Sequence, residues 1–159
     1  MGSGGKSADA DRPGRIAARL ARQVELGLVE LDLSLPQYRV MMLLVNQSEG
    51  ASALADHLAV SRPSITSVVD GLVARGLVVR RADPTDRRRV KHALTPAGKR
   101  LLRAADDTVD RRLEEILSYV GDGVGRESAA DGLRSWGRAL DAYRAVLRAR
   151  FAERLGTRT

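Results

Sequence analysis

Residues 83–95, Asp83-Pro84-Thr85-Asp86-Arg87-Arg88-Arg89-Val90-Lys91-His92-Ala93-Leu94-Thr95, decide how the rest of the chain is read. Asp83-Pro84-Thr85-Asp86 is a turn signal, and β-prone runs flank it on both sides. Leu77-Val78-Val79-Arg80-Arg81 leads in. Arg88 to Leu94 leads out, with Val90, His92 and Leu94 on one face of the strand and Arg89, Lys91 and Ala93 on the other. A hairpin of this kind holds arginine side chains clear of the protein body, where they can reach a polyanion. It reads as a DNA-binding wing.

Charge is concentrated around this segment. From Arg75 to Arg103 there are ten cations (Arg75, Arg80, Arg81, Arg87, Arg88, Arg89, Lys91, Lys99, Arg100, Arg103) against Asp83 and Asp86, a net of +8. The whole chain carries +7, so everything outside the segment sums to about −1. An excess gathered in one place implies an anionic partner, although a solvated basic face would show the same count. At 159 residues and 43% hydrophobic content, the chain has enough material for one core or two small lobes.

The residues before the wing form a helix-turn-helix pattern. Ser52 to Ala59 is a short helix with Leu54, Ala55 and Leu58 on one side, broken at Val60-Ser61. Arg62 to Arg75 is the next helix, capped by Ser61, tolerant of Pro63 in its first turn and closed by Gly76. Ile65, Val68, Val69, Leu72 and Val73 follow the helical period and should face the core. Left over near its start are Ser61, Arg62, Ser64, Thr66 and Ser67, hydrogen-bond formers suited to phosphates and base edges. An ordinary surface helix would also be polar there; the hairpin that follows turns the pattern into a winged helix-turn-helix.

Helices flank this lobe. Ile16, Leu20, Val24, Leu28 and Leu31 mark a first helix after Asp11-Arg12-Pro13. Ser34-Leu35-Pro36-Gln37 is a capping box opening a second helix to about Asn46, whose run Val40 to Val45 should be buried on most sides, Met41 and Met42 included. Thr95-Pro96 caps a helix carrying Leu102, Ala105, Val109, Leu113, Ile116 and Val120, ended by the glycine-rich stretch 121–125. The last helix, about Ser128 to Leu155, spaces Leu133, Trp136, Leu140, Tyr143 and Leu147 by threes and fours. That stripe is too long for one short helix to cover, so pairing with a second copy is the economical solution, with Ile16 and Leu20 sharing the interface.

Other chemistries find no support in the residues. The chain has no cysteine, hence no disulfide or thiolate metal site. His57 and His92 lack a second ligand at metal spacing and are expected to be structural or solvent-facing. There is no nucleophile elbow, dinucleotide fingerprint or paired-carboxylate site; Gly5-Lys6-Ser7 lacks the rest of a phosphate-binding loop. No apolar run approaches a membrane span, and the reducing cytoplasm is the expected compartment. Neither enzyme activity nor a metal or cofactor is expected.

The chain also resembles a known family. Leu33-Ser34-Leu35-Pro36-Gln37, Leu54-Ala55 through Val60-Ser61 and Thr66, Leu72-Val73-Ala74-Arg75-Gly76-Leu77-Val78, and above all Asp83-Pro84-Thr85-Asp86-Arg87-Arg88 followed by Leu94-Thr95-Pro96-Ala97-Gly98 resemble the multiple-antibiotic-resistance regulator (MarR) family of bacterial winged-helix transcription factors. The likeness runs over residues 12 to 155. It implies a homodimer with interlocked terminal helices that sets two recognition helices in successive major grooves of a palindromic operator. It implies that Arg88 enters the minor groove while Asp86 orients it; Asp86 could instead be a plain turn acid. Physics agrees with the arginine: one held by a carboxylate loses less rotamer freedom on binding, and narrow minor grooves concentrate negative potential. Arg87, Arg89 and Lys91 would then meet phosphates. The resemblance also places an effector pocket near Tyr38, Arg39 and the first helix, suited to a phenolic or other aromatic acid, though Tyr38 could be core packing and Arg39 a solvated charge. One departure concerns Ser67, where many relatives carry arginine, which weakens or relocates base readout.

The expectation is therefore a mainly α fold with a small β-hairpin wing (α+β). Residues 1–11 are a disordered tail or a remnant of cloning, 33–96 a winged helix-turn-helix lobe, and 12–32 with 97–155 a helical dimerisation region. The expected function is that of a sequence-specific, homodimeric transcriptional regulator, a repressor released by a small molecule. A non-specific architectural DNA binder and a protein-interaction module without a DNA role are the alternatives.

Overall fold

The computed structural model describes residues 12–45, 48–83, 86, 89–121 and 123–156, with side-chain surroundings up to residue 146. The expected tail, Gly5-Lys6-Ser7, Arg87 and Arg88 lie outside them. The chain is mainly helical with one antiparallel hairpin. In order come α1 (Pro13–Val29), α2 (Leu35–Leu44), α3 (Ala51–Leu58), α4 (Arg62–Ala74), β1 (Val78–Ala82), β2 (Val90–Leu94), α5 (Pro96–Leu117), a 3-10 turn (Ser118–Val120) and α6 (Gly123–Gly156). Two compact units divide it, residues 1–113 and residues 114–159.

In the first unit, local signals set the helix ends. The Ser34 hydroxyl accepts from the Gln37 amide at 3.3 Å and the Gln37 side chain accepts from the Ser34 amide at 3.0 Å, the capping box read from sequence. Three helices end in the same Schellman pattern. The amides of Asp32 and Leu33 reach back to Val29 and Leu28, those of Ala59 and Val60 to Asp56 and Ala55, and those of Gly76 and Leu77 to Val73 and Leu72. The pattern needs a left-handed residue, and φ is +50°, +53° and +67° at Asp32, Ala59 and Gly76. Only the last is glycine, where that conformation costs nothing.

The core forms where the apolar faces of five helices and the hairpin base converge. Leu28 from α1, Val40 and Met41 from α2, Leu54 from α3, and Ile65, Val69 and Leu72 from α4 are fully buried. Leu102, Ala105 and Val109 of α5 and Val78 and Leu94 of the hairpin complete it. Each buried aliphatic side chain contributes about 1.5–3 kcal/mol relative to exposure. The α2 run is not buried on most sides as expected. Val40, Met41 and Leu44 are buried and Leu43 partly so, but Met42 is 50% exposed and Val45 is also exposed, because successive residues turn through the full circle and one side of the helix is left uncovered.

The hairpin pairs Val78 with Leu94, Arg80 with His92 and Ala82 with Val90. Its inward face is the expected one for His92 and Leu94, both buried, whereas Val90 at the outer end is exposed. A third segment joins that the sequence did not announce. Glu49 bridges to His92 through two backbone bonds of 3.1 and 2.8 Å, and the buried His92 Nδ1 lies 3.1 Å from the Glu49 carbonyl, so Nδ1 carries the proton and donates.

The seam where the end of α4, the hairpin base and the start of α5 meet is tight. The Thr95 amide donates to the Leu77 carbonyl at 3.0 Å, its hydroxyl donates to the Gly76 carbonyl at 2.8 Å, and the same hydroxyl accepts from the Gly98 amide at 3.0 Å. Gly98 sits so close to Leu77 that a Cβ would collide with its carbonyl. Farther along α5, the Tyr38 hydroxyl of α2 donates to the Asp106 carboxylate at 2.6 Å. Burial, that hydrogen bond and the charges of Asp106 and Asp110 all raise the Tyr38 pKa well above the ordinary phenol value.

In the second unit, the last turn of α5 leads through the 3-10 turn to Gly121 at φ +89° and then into α6. α6 begins at Gly123, not near Ser128 as the glycine-rich stretch suggested. Helical glycine costs about 1 kcal/mol against alanine, a penalty that a 34-residue helix absorbs. Leu133, Trp136, Leu140 and Tyr143 are exposed along it, Trp136 at 62%.

Two measurements test this packing. Gly98→Ala should destabilise the fold by about 2 kcal/mol or more in a urea titration, since the colliding atom is backbone and cannot swing away. Because the folded pKa of Tyr38 lies above its unfolded value, its contribution is complete at neutral pH and is lost as pH rises past about 10. An alkaline absorbance titration should therefore show a lagging phenolate component that disappears in Tyr38→Phe.

Candidate nucleic-acid interface

The first turns of α4 present the polar cluster expected of a recognition helix. Ser61, Arg62, Ser64, Thr66 and Ser67 are all exposed, while Ile65, Val69 and Leu72 on the opposite face are buried. The five have unequal freedom. The Ser61 hydroxyl caps the helix by accepting from the Ser64 amide at 3.3 Å and lies 2.7 Å from the Ser64 hydroxyl. Thr66 turns its hydroxyl back to the Arg62 carbonyl at 3.0 Å. Arg62 and Ser67 make no side-chain hydrogen bond with another described residue, and Arg62 opens the helix at the positive end of its dipole, where an anion is favoured.

On the hairpin, carboxylates sort the cations. Lys91 Nζ lies 3.0 Å from the carboxylate of Asp83, which is buried, and the Asp83 amide donates to the Arg89 carbonyl at 2.9 Å. That pair anchors the hairpin near its turn and leaves Lys91 less charge to spend on phosphates than the strand pattern implied. Arg89 Nε is 3.4 Å from the Asp86 carboxylate, an exposed pair worth little in water. Arg81 stands across the register from Lys91, a like-charge pairing relieved by Asp83. The Arg81 guanidinium is exposed and has no ion pair among the described residues.

Two further pairs tie the interface to its surroundings. Arg80 of β1 pairs with Asp70 of α4, so the first strand of the hairpin is clamped to α4. Arg75, at the end of α4, donates to the Asp32 carbonyl at 2.6 Å, with the Asp32 carboxylate 3.6 Å from its other terminal nitrogen. The segment count of +8 overstates the free charge because Asp32 and Asp70 lie outside the window. Asp70 as the sole acid of α4 was the available sign of the clamp, and Arg81 belongs with the interface though the strand pattern did not single it out. Lys99, Arg100 and Arg103 are exposed on the first turns of α5.

The remaining predicted positions are dispersed. Tyr38 is half-buried against Asp106 and Arg39 is exposed. Ile16 is exposed and Leu20 intermediate, while Leu133, Trp136, Leu140 and Tyr143 lie exposed along α6; the side chain of Leu147 is outside the described ones. His57 is partly buried, with Nδ1 unpartnered among the described residues. The described residues contain no cluster able to hold a metal ion, and no helix among them is long and apolar enough to cross a membrane.

Residues 31–89, from the end of α1 through the hairpin turn, match the sequence model of the MarR family. The HTH-type transcriptional regulator FarR of Neisseria gonorrhoeae is 32% identical over 111 residues, 68% of this chain and 76% of FarR. Among solved structures, CouR from Rhodococcus jostii RHA1, bound to p-coumaroyl-CoA, superposes with a TM-score of 0.64 at 28% identity, covering 82% of this chain and 92% of CouR. A MepR variant from S. aureus bound to an oligodeoxyribonucleotide gives 0.59 at 21% identity, with 79% and 92% covered, a likeness of fold. The matched stretch takes in α2, α3, α4 and β1, the elements that carry the polar cluster and the cations Arg80 and Arg81, and the chain belongs to the MarR family of winged-helix, DNA-binding transcriptional regulators.

Proposed function

We propose that the protein is a sequence-specific, homodimeric repressor that acts on DNA in the cytoplasm and is released by a small effector. One observation carries this reading. The exposed polar start of α4 and the hairpin are joined by the Arg80–Asp70 pair, so the helix that would read the major groove and the wing that would reach the minor groove are held as one body. Arg62, Ser64 and Ser67 would face bases and phosphates, with Ser61 and Thr66 shaping the helix start. Arg88, oriented by Asp86, would enter the minor groove. Arg87, Arg89 and Lys91 would neutralise phosphates.

The exposed α6 stripe supports pairing with a second copy. Leu133, Trp136, Leu140 and Tyr143, with Leu147 next in the spacing, would leave a long apolar face in water unless covered. Ile16 and Leu20 would share that contact. Twofold pairing sets two recognition helices about one DNA turn apart and makes the operator an inverted repeat.

Effector release fits the Tyr38–Asp106 bond, which ties α2 to α5. A phenolic acid whose hydroxyl took Asp106 from Tyr38 would loosen that tie, and its carboxylate could meet exposed Arg39. CouR carries an aromatic thioester, which favours an aromatic body for the ligand.

Selection from random duplexes should yield an inverted repeat with half-sites about one helical turn apart, preferred at least about a thousandfold over bulk DNA. Recovery of sequences without a repeat would overturn the regulator reading in favour of an architectural binder. Arg88→Ala should weaken operator binding by about 1–3 kcal/mol and leave the sedimentation profile unchanged. Leu140→Asp would bury a charge at the proposed interface and should shift sedimentation to the monomer; an unchanged profile would place the interface elsewhere.

A further inference from the structure

A cleft of about 430 Å³ opens in the first unit where α1 ends and α4 ends, lined by Val29, Asp32, Leu33, Ser34, Gln37 and Arg75. It is separate from the recognition cluster at the start of α4 and from Tyr38 and Arg39. Its chemistry comes from the Schellman turn after α1. Asp32, at φ +50°, turns its carbonyl onto Arg75 Nη1 at 2.6 Å, which fixes the guanidinium in place.

The charge on that guanidinium is poorly answered. Arg75 is only 32% exposed, yet the carboxylate nearest its Nη2 is 3.6 Å away, beyond hydrogen-bond reach, and belongs to a side chain that is 97% exposed. Water screens such a carboxylate, and it is free to swing aside. Beside the cation, Val29 is 70% exposed and supplies the accessible apolar surface of the cleft, whose floor is closed by Leu33, itself only 3% exposed. Gln37 adds a donor: its Oε1 is committed to the Ser34 amide, which leaves Nε2 without a hydrogen-bond partner among the described residues.

We propose that this cleft binds an organic monocarboxylate with a compact apolar body. The carboxylate replaces the distant Asp32 side chain on Arg75 Nη2, with Gln37 Nε2 as a second donor, and the hydrocarbon covers Val29. A fixed guanidinium favours a carboxylate because little rotamer entropy remains to be lost. Glu30 and Asp32 on the same turn disfavour a multiply charged anion such as phosphate. Binding stands apart from the repressor reading; only its consequence for DNA, transmitted through the Arg75 end of α4, rests on it.

The test uses the full chain without DNA, so it is independent of operator selection. Cyclohexanecarboxylate is titrated into labelled protein and followed by amide chemical shifts, with cyclohexylmethanol and inorganic phosphate as controls. The carboxylate should give saturable shifts confined to residues 29–37 and 74–77, and neither control should. Arg75→Gln and Val29→Asp should each weaken binding about tenfold or more, and Asp32→Asn should tighten it. Val29→Asp changes an exposed side chain, so it reports even where Arg75→Gln disturbs the fold. Absence of saturable shifts, shifts centred on Tyr38 or α6, or undiminished binding by Val29→Asp would overturn the proposal.

Discussion

The seam between Thr95, Gly98 and Leu77 is the constraint on which the arrangement of the interface depends. α4 ends at Gly76, the chain immediately becomes β1, and β2 returns to the same point as α5 begins. Three chain directions meet within hydrogen-bonding distance. Thr95 serves all three with one side chain, donating to Gly76 and accepting from Gly98. Backbone approach this close leaves no room for a Cβ at position 98. The hairpin base is thereby pinned to the end of α4, which sets the direction in which the hairpin extends.

Charge is arranged by the same logic of restricted freedom. Asp83 anchors Lys91, Asp70 holds Arg80 and Asp32 meets Arg75, so acids are spent on orienting cations. The Arg80–Asp70 and Arg75–Asp32 pairs, open to water, contribute little to stability, whereas the Lys91–Asp83 pair uses a buried carboxylate. The effect of the pairs is geometric: they leave Arg62, Arg81 and the weakly paired, 78%-exposed Arg89 projecting from α4 and the hairpin and brace the surface from which those side chains extend. A DNA-binding surface gains from such bracing because side chains already ordered lose less entropy on binding.

Apolar surface shows a parallel division within each unit. In α1, Leu28 is fully buried and Ile16, three turns earlier, is exposed. The helix thus commits its C-terminal half to the core and leaves its N-terminal half uncovered. In α6, the spacing of Leu133, Trp136, Leu140 and Tyr143 is as regular as that of any core helix, yet all four face water. Regular apolar spacing without cover is the physical reason for the proposed pairing with a second copy.

Much of this was legible in the residues. The capping box at Ser34 and Gln37, the buried face of α4, the β-alternation of His92 and Leu94 and the membership of the family all depend on spacing and local chemistry, which a linear chain displays directly. Local composition misled where packing overrode it. The unbroken apolar run from Val40 to Val45 could not reveal that Met42 and Val45 are left uncovered, and glycines at 123 and 125 suggested a loop where a long helix absorbs them. The Glu49–His92 bridge, the Asp70–Arg80 clamp and the Asp32–Arg75 contact join residues 43, 10 and 43 positions apart. The sequence by itself determined the elements, their caps and the excess of positive charge, because these follow from neighbours along the chain. Which cations are held and which are offered was decided only by tertiary structure, because ion pairing depends on distances that the chain acquires on folding.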